Sequence, residues 1–151
     1  MIETVIRWRS GSTFKADAVK CYDEIKQLGD EIKPKQVLDL ARDSNTELHK
    51  CFDWDDSSAA EKYRIYQARN VIGSIVVVQR NVDNEEKEPI QFRVLLKNEK
   101  SADSGYKPTI LMVRDEDEYK KLLDQAYMEL RNFKKKYSCL VELANIIALI
   151  D

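Results

Sequence analysis

The chain has 151 residues, 43% hydrophobic and 34% charged, with a formal net charge of −2, four glycines and three prolines. Those values fit a globular chain with a highly charged surface, long enough for one domain with a real core. They exclude extensive disorder and a polycationic surface that would attract nucleic acid everywhere, leaving only local basic patches to consider.

No run approaches the ~20 apolar residues of a membrane span, and the N-terminal "MIETVIRWRSG" lacks the apolar region of a signal peptide. No membrane association is expected. Cys21, Cys51 and Cys139 are odd in number and far apart, which argues for a reducing cytoplasm and against a disulfide framework. One histidine and no CxxC pair exclude a closed zinc site of known spacing, and no cofactor is expected.

The opening "TVIRWRSGSTF" alternates apolar and polar residues up to Gly11, as in a strand or extended arm. Over 14–29, Phe14, Ala18, Cys21, Tyr22, Ile25 and Leu28 recur at helical spacing, with Ser12 or Thr13 as cap and Gly29 as terminator. Pro34 suits the first turn of a short helix, "PKQVLDLARD". After the loop "SNTELHKCF", a third helix is expected from about Ser57 to Ile72. "GSIVVVQR" and "IQFRVLLK" read as strands joined by the acidic turn "DNEEKE", hence an antiparallel hairpin. "NEKSADSGYK" reads as a loop and "PTILMVR" as a third short strand.

From Asp115 to Ile150 the chain reads as helical. Tyr119, Leu123, Ala126, Leu130, Phe133, Tyr137, Leu140, Ala144 and Ile147 are spaced four and three in turn, a heptad seam. An unbroken helix of that length would span ~50 Å, beyond the ~30 Å of a small domain. Either it breaks near Ser138–Cys139, or its end projects and packs on a second copy.

The densest chemistry is "HKCFDWDDSSAAEKYR", His49–Arg64. As a metal site it offers His49, Cys51, Asp53, Asp55 and Asp56, but one short segment rarely closes four ligands around an ion, and no second histidine exists. As a Cys–His nucleophile, Cys51 and His49 lack an orienting third group and any thiol-enzyme signature. The structural reading is preferred. Asp55 or Asp56 caps the third helix, Ser58–Glu61 fits a capping box, and Phe52 and Trp54 point inward. On that helix Ala60, Tyr63, Arg64, Gln67, Ala68, Val71 and Ile75 share a face. A guanidinium inside that stripe needs a partner, so Arg64 is expected to clasp Asp53, Asp55 or Asp56.

Two segments carry basic residues suited to nucleic acid. One is Arg7, Trp8, Arg9 and Lys15, where charge and rings interleave. The other is Arg131, Lys134, Lys135 and Lys136 on the last helix. An edge strand with gatekeeper charges and a solvated helix face are the plainer readings of each. The helix spacing disfavours a helix-turn-helix, because more than ten residues separate the second and third helices.

The segments "RWRSGSTFKADA", "ARDSNTELHKCFDWDDSSAAEKYRIYQARNVIGSI" and "ELRNFKKKYSCLVELANIIALID" resemble a group of small phage and prophage proteins of unassigned function. The mark of the group is an HxCFxWDDSxAAxxYRxxQAR-type motif, read here over His49–Arg69. The resemblance covers nearly the whole chain and implies a phage or integrated-phage origin and a bacterial cytoplasm. It supplies no reaction. Gly73 departs from the group, which carries a larger or charged residue there.

The expectation is thus an α+β fold: three N-terminal helices, a small antiparallel sheet of about three strands, and a long C-terminal helix. The expected function is a non-enzymatic phage or prophage accessory protein that binds nucleic acid, in DNA metabolism or regulation. The second reading is an interaction or assembly module whose partner is a phage or host protein, or a second copy joined along the heptad seam.

Overall fold

A computed structural model describes residues 1–56, 60–97 and 104–151. The described chain divides into two compact units, Met1–Ile110 and Leu111–Asp151. The class is α+β.

In the first unit, strand β1 (Ile2–Trp8) leads through Gly11 to helices α1 (Ala18–Lys26) and α2 (Pro34–Ala41) and a 3-10 turn (Leu48–Cys51). Helix α3 (Glu61–Ser74) runs directly into β2 (Ile75–Asn81), which is followed by β3 (Ile90–Arg93). The sheet order is β1-β2-β3, antiparallel throughout, so the hydrophobic β2 is central. Its register pairs Ile6 with Val77 and Val77 with Phe92, and Trp8 with Ile75. Paired residues share a sheet face. Ile6, Trp8, Ile75, Val77 and Phe92 therefore face the core, while Val5, Arg7, Val76, Val78 and Arg93 form the other face. A second, two-stranded ladder joins β4 (Leu95–Leu96) to β5 (Lys107–Pro108).

Several expected boundaries move. The cap of α1 is Asp17, whose carboxylate accepts from Lys20 N–H (3.1 Å), rather than Ser12 or Thr13. Phe14 lies outside the helix and packs on Trp8. Gly11 and Gly29 take φ of +89° and +109°, where any side chain would be strained. Pro34 does open α2. "PTILMVR" is not a strand. Pro108 has no N–H to continue the ladder, and Thr109 donates from its backbone to Val94 O (2.9 Å) and from Oγ1 to Arg93 O (2.6 Å). These bonds turn the chain into helix α4 (Thr109–Arg114), overriding its β-branched composition.

The second unit is built on α5 (Glu116–Tyr137), capped by Asp115, which accepts from Glu118 N–H (3.0 Å). The long helix breaks where one alternative placed the break. Ser138 Oγ donates back to Lys134 O, and Leu140 is extended. A 3-10 turn (Val141–Leu143) and the short α6 (Ala144–Ile147) follow. Lys134 Nζ donates to Ile150 O (2.8 Å), which holds the C-terminus beside α5. Among the described residues no helix is long and apolar enough to cross a membrane.

Candidate nucleic-acid interface

The His49–Arg64 segment is entered through a helical turn, so Leu48 and Cys51 are buried together. Two carboxylates hold that turn to α1 in a reciprocal exchange. Glu24 accepts from the N–H groups of Glu47 (2.6 Å) and Leu48 (3.0 Å), and Glu47 accepts from Asp17 N–H (2.9 Å). The Asp17 N–H first, then the Lys50 ammonium, hold the Glu47 carboxyl below the ordinary glutamate value. Cys21 and Cys51 meet in the core with sulfurs 3.9 Å apart. The hydrogen bond to Cys51 and burial push the Cys21 thiol far up, leaving it protonated and inert as a nucleophile.

His49 is fixed rather than poised. Its Nδ1 lies 2.8 Å from Ala41 O, and its ring stacks on Trp54 at 4.8 Å, 8° from parallel. Trp54 Nε1 donates to His49 O (2.8 Å). The neighbouring Arg64 is buried. Its Nη2 reaches Asp56 Oδ1 at 2.6 Å, its Nε donates to Asp53 O at 3.3 Å, and its guanidinium sits 5.3 Å from the Trp54 ring centroid. Within the expected trio, the side-chain bond goes to Asp56, and Asp53 contributes its carbonyl. Neither Asp55 nor Asp56 caps α3: the cap position is Ala60, which has no side-chain acceptor. The Ser58 of the expected capping box lies outside the described residues. Glu61 instead binds Arg42 at the end of α2 (2.9 Å). Among the described residues no group of three or more His, Cys, Asp or Glu is arranged to hold a metal.

Of the face expected on α3, Arg64, Ala68 and Val71 are buried, while Tyr63 and Gln67 turn to a groove. Ile72 is buried as well. Tyr63, Tyr66, Gln67 and Asn70, at spacings of three, one and three, line an open groove of about 430 Å³. The opposite wall is Thr13, Phe14 and Lys15, and the floor comes from Lys50–Asp53. Tyr63 and Tyr66 are 48% and 63% exposed, their rings 6.4 Å apart and 19° from parallel. Gln67 Oε1 accepts from Asp53 N–H (3.4 Å), tying floor to wall. Sequence reasoning singled out Lys15 but missed Tyr63, Tyr66, Asn70 and Lys50 as a group. The available signal was the i, i+3, i+7 spacing of Tyr63, Tyr66 and Asn70.

The remaining predicted residues are dispersed. Arg7 lies on the outer sheet face and donates to Gln91 Oε1 (3.0 Å). Arg9 is exposed, with its backbone N–H bound to Ser74 O (2.7 Å). Trp8 is half-buried: its Nε1 donates to Ala16 O (2.6 Å) and its ring lies 4.6 Å from that of Phe14. That packing leaves Trp8 in the core cluster's margin rather than presented for stacking. Arg131, Lys135 and Lys136 are exposed in the second unit, and Lys134 is engaged by the C-terminus. Comparisons with protein-family models, curated proteins and solved structures find no match.

Proposed function

We propose that this protein is a non-enzymatic nucleic-acid-binding accessory protein of a phage or prophage, working in a bacterial cytoplasm, and that the α3 groove takes a single-stranded segment. The observation that carries the reading is the pair of exposed, near-parallel tyrosine rings beside Lys15 and Lys50. Unstacked bases lie on aromatic faces at about 1–3 kcal/mol per base, and flanking ammonium groups neutralise phosphates. The amides of Gln67 and Asn70 supply donors and acceptors to base edges. A duplex buries its base faces and has no use for such rings, so single strands are favoured. The sequence resemblance to phage and prophage proteins supports the biological setting.

The test is fluorescence anisotropy of a labelled single-stranded oligonucleotide at low salt. Binding is expected to weaken as salt rises, and to weaken about tenfold or more in Tyr63→Ala/Tyr66→Ala. Lys15→Ala/Lys50→Ala should lower the salt slope. Binding unchanged by all four substitutions, or absent from the wild type at low salt, overturns the reading.

A further inference from the structure

Helix α5 has 22 residues and buries none of them. It is ~33 Å long at 1.5 Å per residue. Its seam is nonetheless apolar: Tyr119, Leu123, Leu130 and Phe133 are between 38% and 47% exposed. Such a stripe on one face of a long helix is a surface made for another helix. The returning C-terminus borders it at Tyr127, Leu130 and Arg131. It takes one N–H of Lys134 and leaves that ammonium two further donors.

The charges beside the seam select the partner. In a parallel, in-register pair of heptad helices, a residue flanking the seam meets the one five positions further on in its mate. Here Glu129 is followed five residues later by Lys134. Leu122 is followed in the same way by Tyr127, an apolar match. Each contact occurs twice in a symmetric pair. The antiparallel alternative that interleaves the same seam crosses at residue 128, placing Lys120 against Lys134 and Glu129 against its own copy, both repulsive. A second copy aligned in parallel satisfies seam and charges together.

We infer that α5 is a parallel homodimer interface, with Leu123, Ala126, Leu130 and Phe133 meeting their counterparts and Glu129 paired across to Lys134. The dimer carries two α3 grooves, though the interface itself does not depend on what those grooves bind.

The experiment uses the full chain with Cys139→Ser to silence the exposed thiol. Ala126→Cys is expected to give a disulfide-linked dimer on mild oxidation, because residue 126 meets itself, whereas Met128→Cys, on the outer side, is not. Glu129→Lys and Lys134→Glu are each expected to weaken dimerisation about tenfold by sedimentation, while their equimolar mixture regains wild-type association. Helicity by circular dichroism checks that each variant folds. A monomer at tens of micromolar, crosslinking through 128 but not 126, or a mixture no tighter than either variant alone overturns the inference.

Discussion

Arg64 Nη2 lies 2.6 Å from Asp56 Oδ1, yet the two ends of this ion pair live in different media. The Arg64 side chain is 9% exposed and that of Asp56 is 89% exposed. The carboxylate therefore stays hydrated and gains little by itself, whereas the guanidinium has given up water and needs its acceptors. The bond also ties the loop carrying Asp53 and Trp54 to α3, so Arg64 fixes the floor of the groove without entering it.

Arg64→Ala is expected to lower unfolding stability by about 2–3 kcal/mol, since it leaves a cavity beside Trp54 and frees the Asp53 carbonyl. Asp56→Asn should cost about 1 kcal/mol or less, because its amide oxygen still accepts. Urea denaturation of the two variants checks the order. Equal losses would show that the pair acts through charge alone, and an unchanged Arg64→Met would show that the clasp contributes nothing.

Gly105 is a tighter constraint than its place near a loop suggests. Its N–H donates to Glu31 Oε1 (2.6 Å), and a Cβ built there would lie 2.5 Å from Glu31 Cγ and 2.9 Å from Ile32 O. The Glu31 side chain can swing away, but the Ile32 carbonyl accepts from Tyr106 N–H (2.6 Å) and cannot. Gly105→Ala should therefore destabilise by about 1–3 kcal/mol, whereas Gly73→Ala, where the nearest atoms lie 3.7 Å away on the Arg93 side chain, should be tolerated sterically. Melting temperatures of the two variants make the comparison.

Acid should loosen the turn that floors the groove. The folded-state value of Glu47 is depressed by the Asp17 N–H and by Lys50. A depressed carboxyl binds its proton more readily when unfolded, so its stabilisation is complete above the ordinary glutamate value of about 4.3. It is lost as pH falls through the lower folded value. Glu61, depressed by Arg42, adds in the same direction. Melting temperature should fall as pH drops below about 4. Glu47→Gln, which keeps an acceptor for Asp17 but cannot titrate, should flatten part of that limb.

The three cysteines should separate cleanly by reactivity. Cys139 is exposed, and Cys21 and Cys51 are buried side by side. At pH 8 a disulfide reagent is expected to modify one thiol per chain quickly and the other two only at the rate of unfolding. Cys139→Ser should abolish the fast phase. Rapid modification of all three would mean that the α1 core opens readily.

How far the sequence reached varies with the range of the interactions. Pro34 at the head of α2 and the β2–β3 pairing follow from local rules, in which propensity, turn composition and periodicity agree. The failures come where a distant partner overrides local preference. The bonds from Thr109 to Arg93 and Val94 make a helix of a β-branched run.

What the sequence by itself determined was the α+β class, most of the helices and the need of Arg64 for a nearby acceptor, because each rests on periodicity or on the cost of burying a charge. The groove was decided only by tertiary structure. Lys15, Lys50 and Tyr66 converge because Glu24 and Glu47 lock the 3-10 turn to α1, while the pairing of Trp8 with Ile75 anchors the N-terminal strand beside the end of α3. Contacts between residues tens of positions apart depend on how elements pack, and neither residue's own neighbourhood records them.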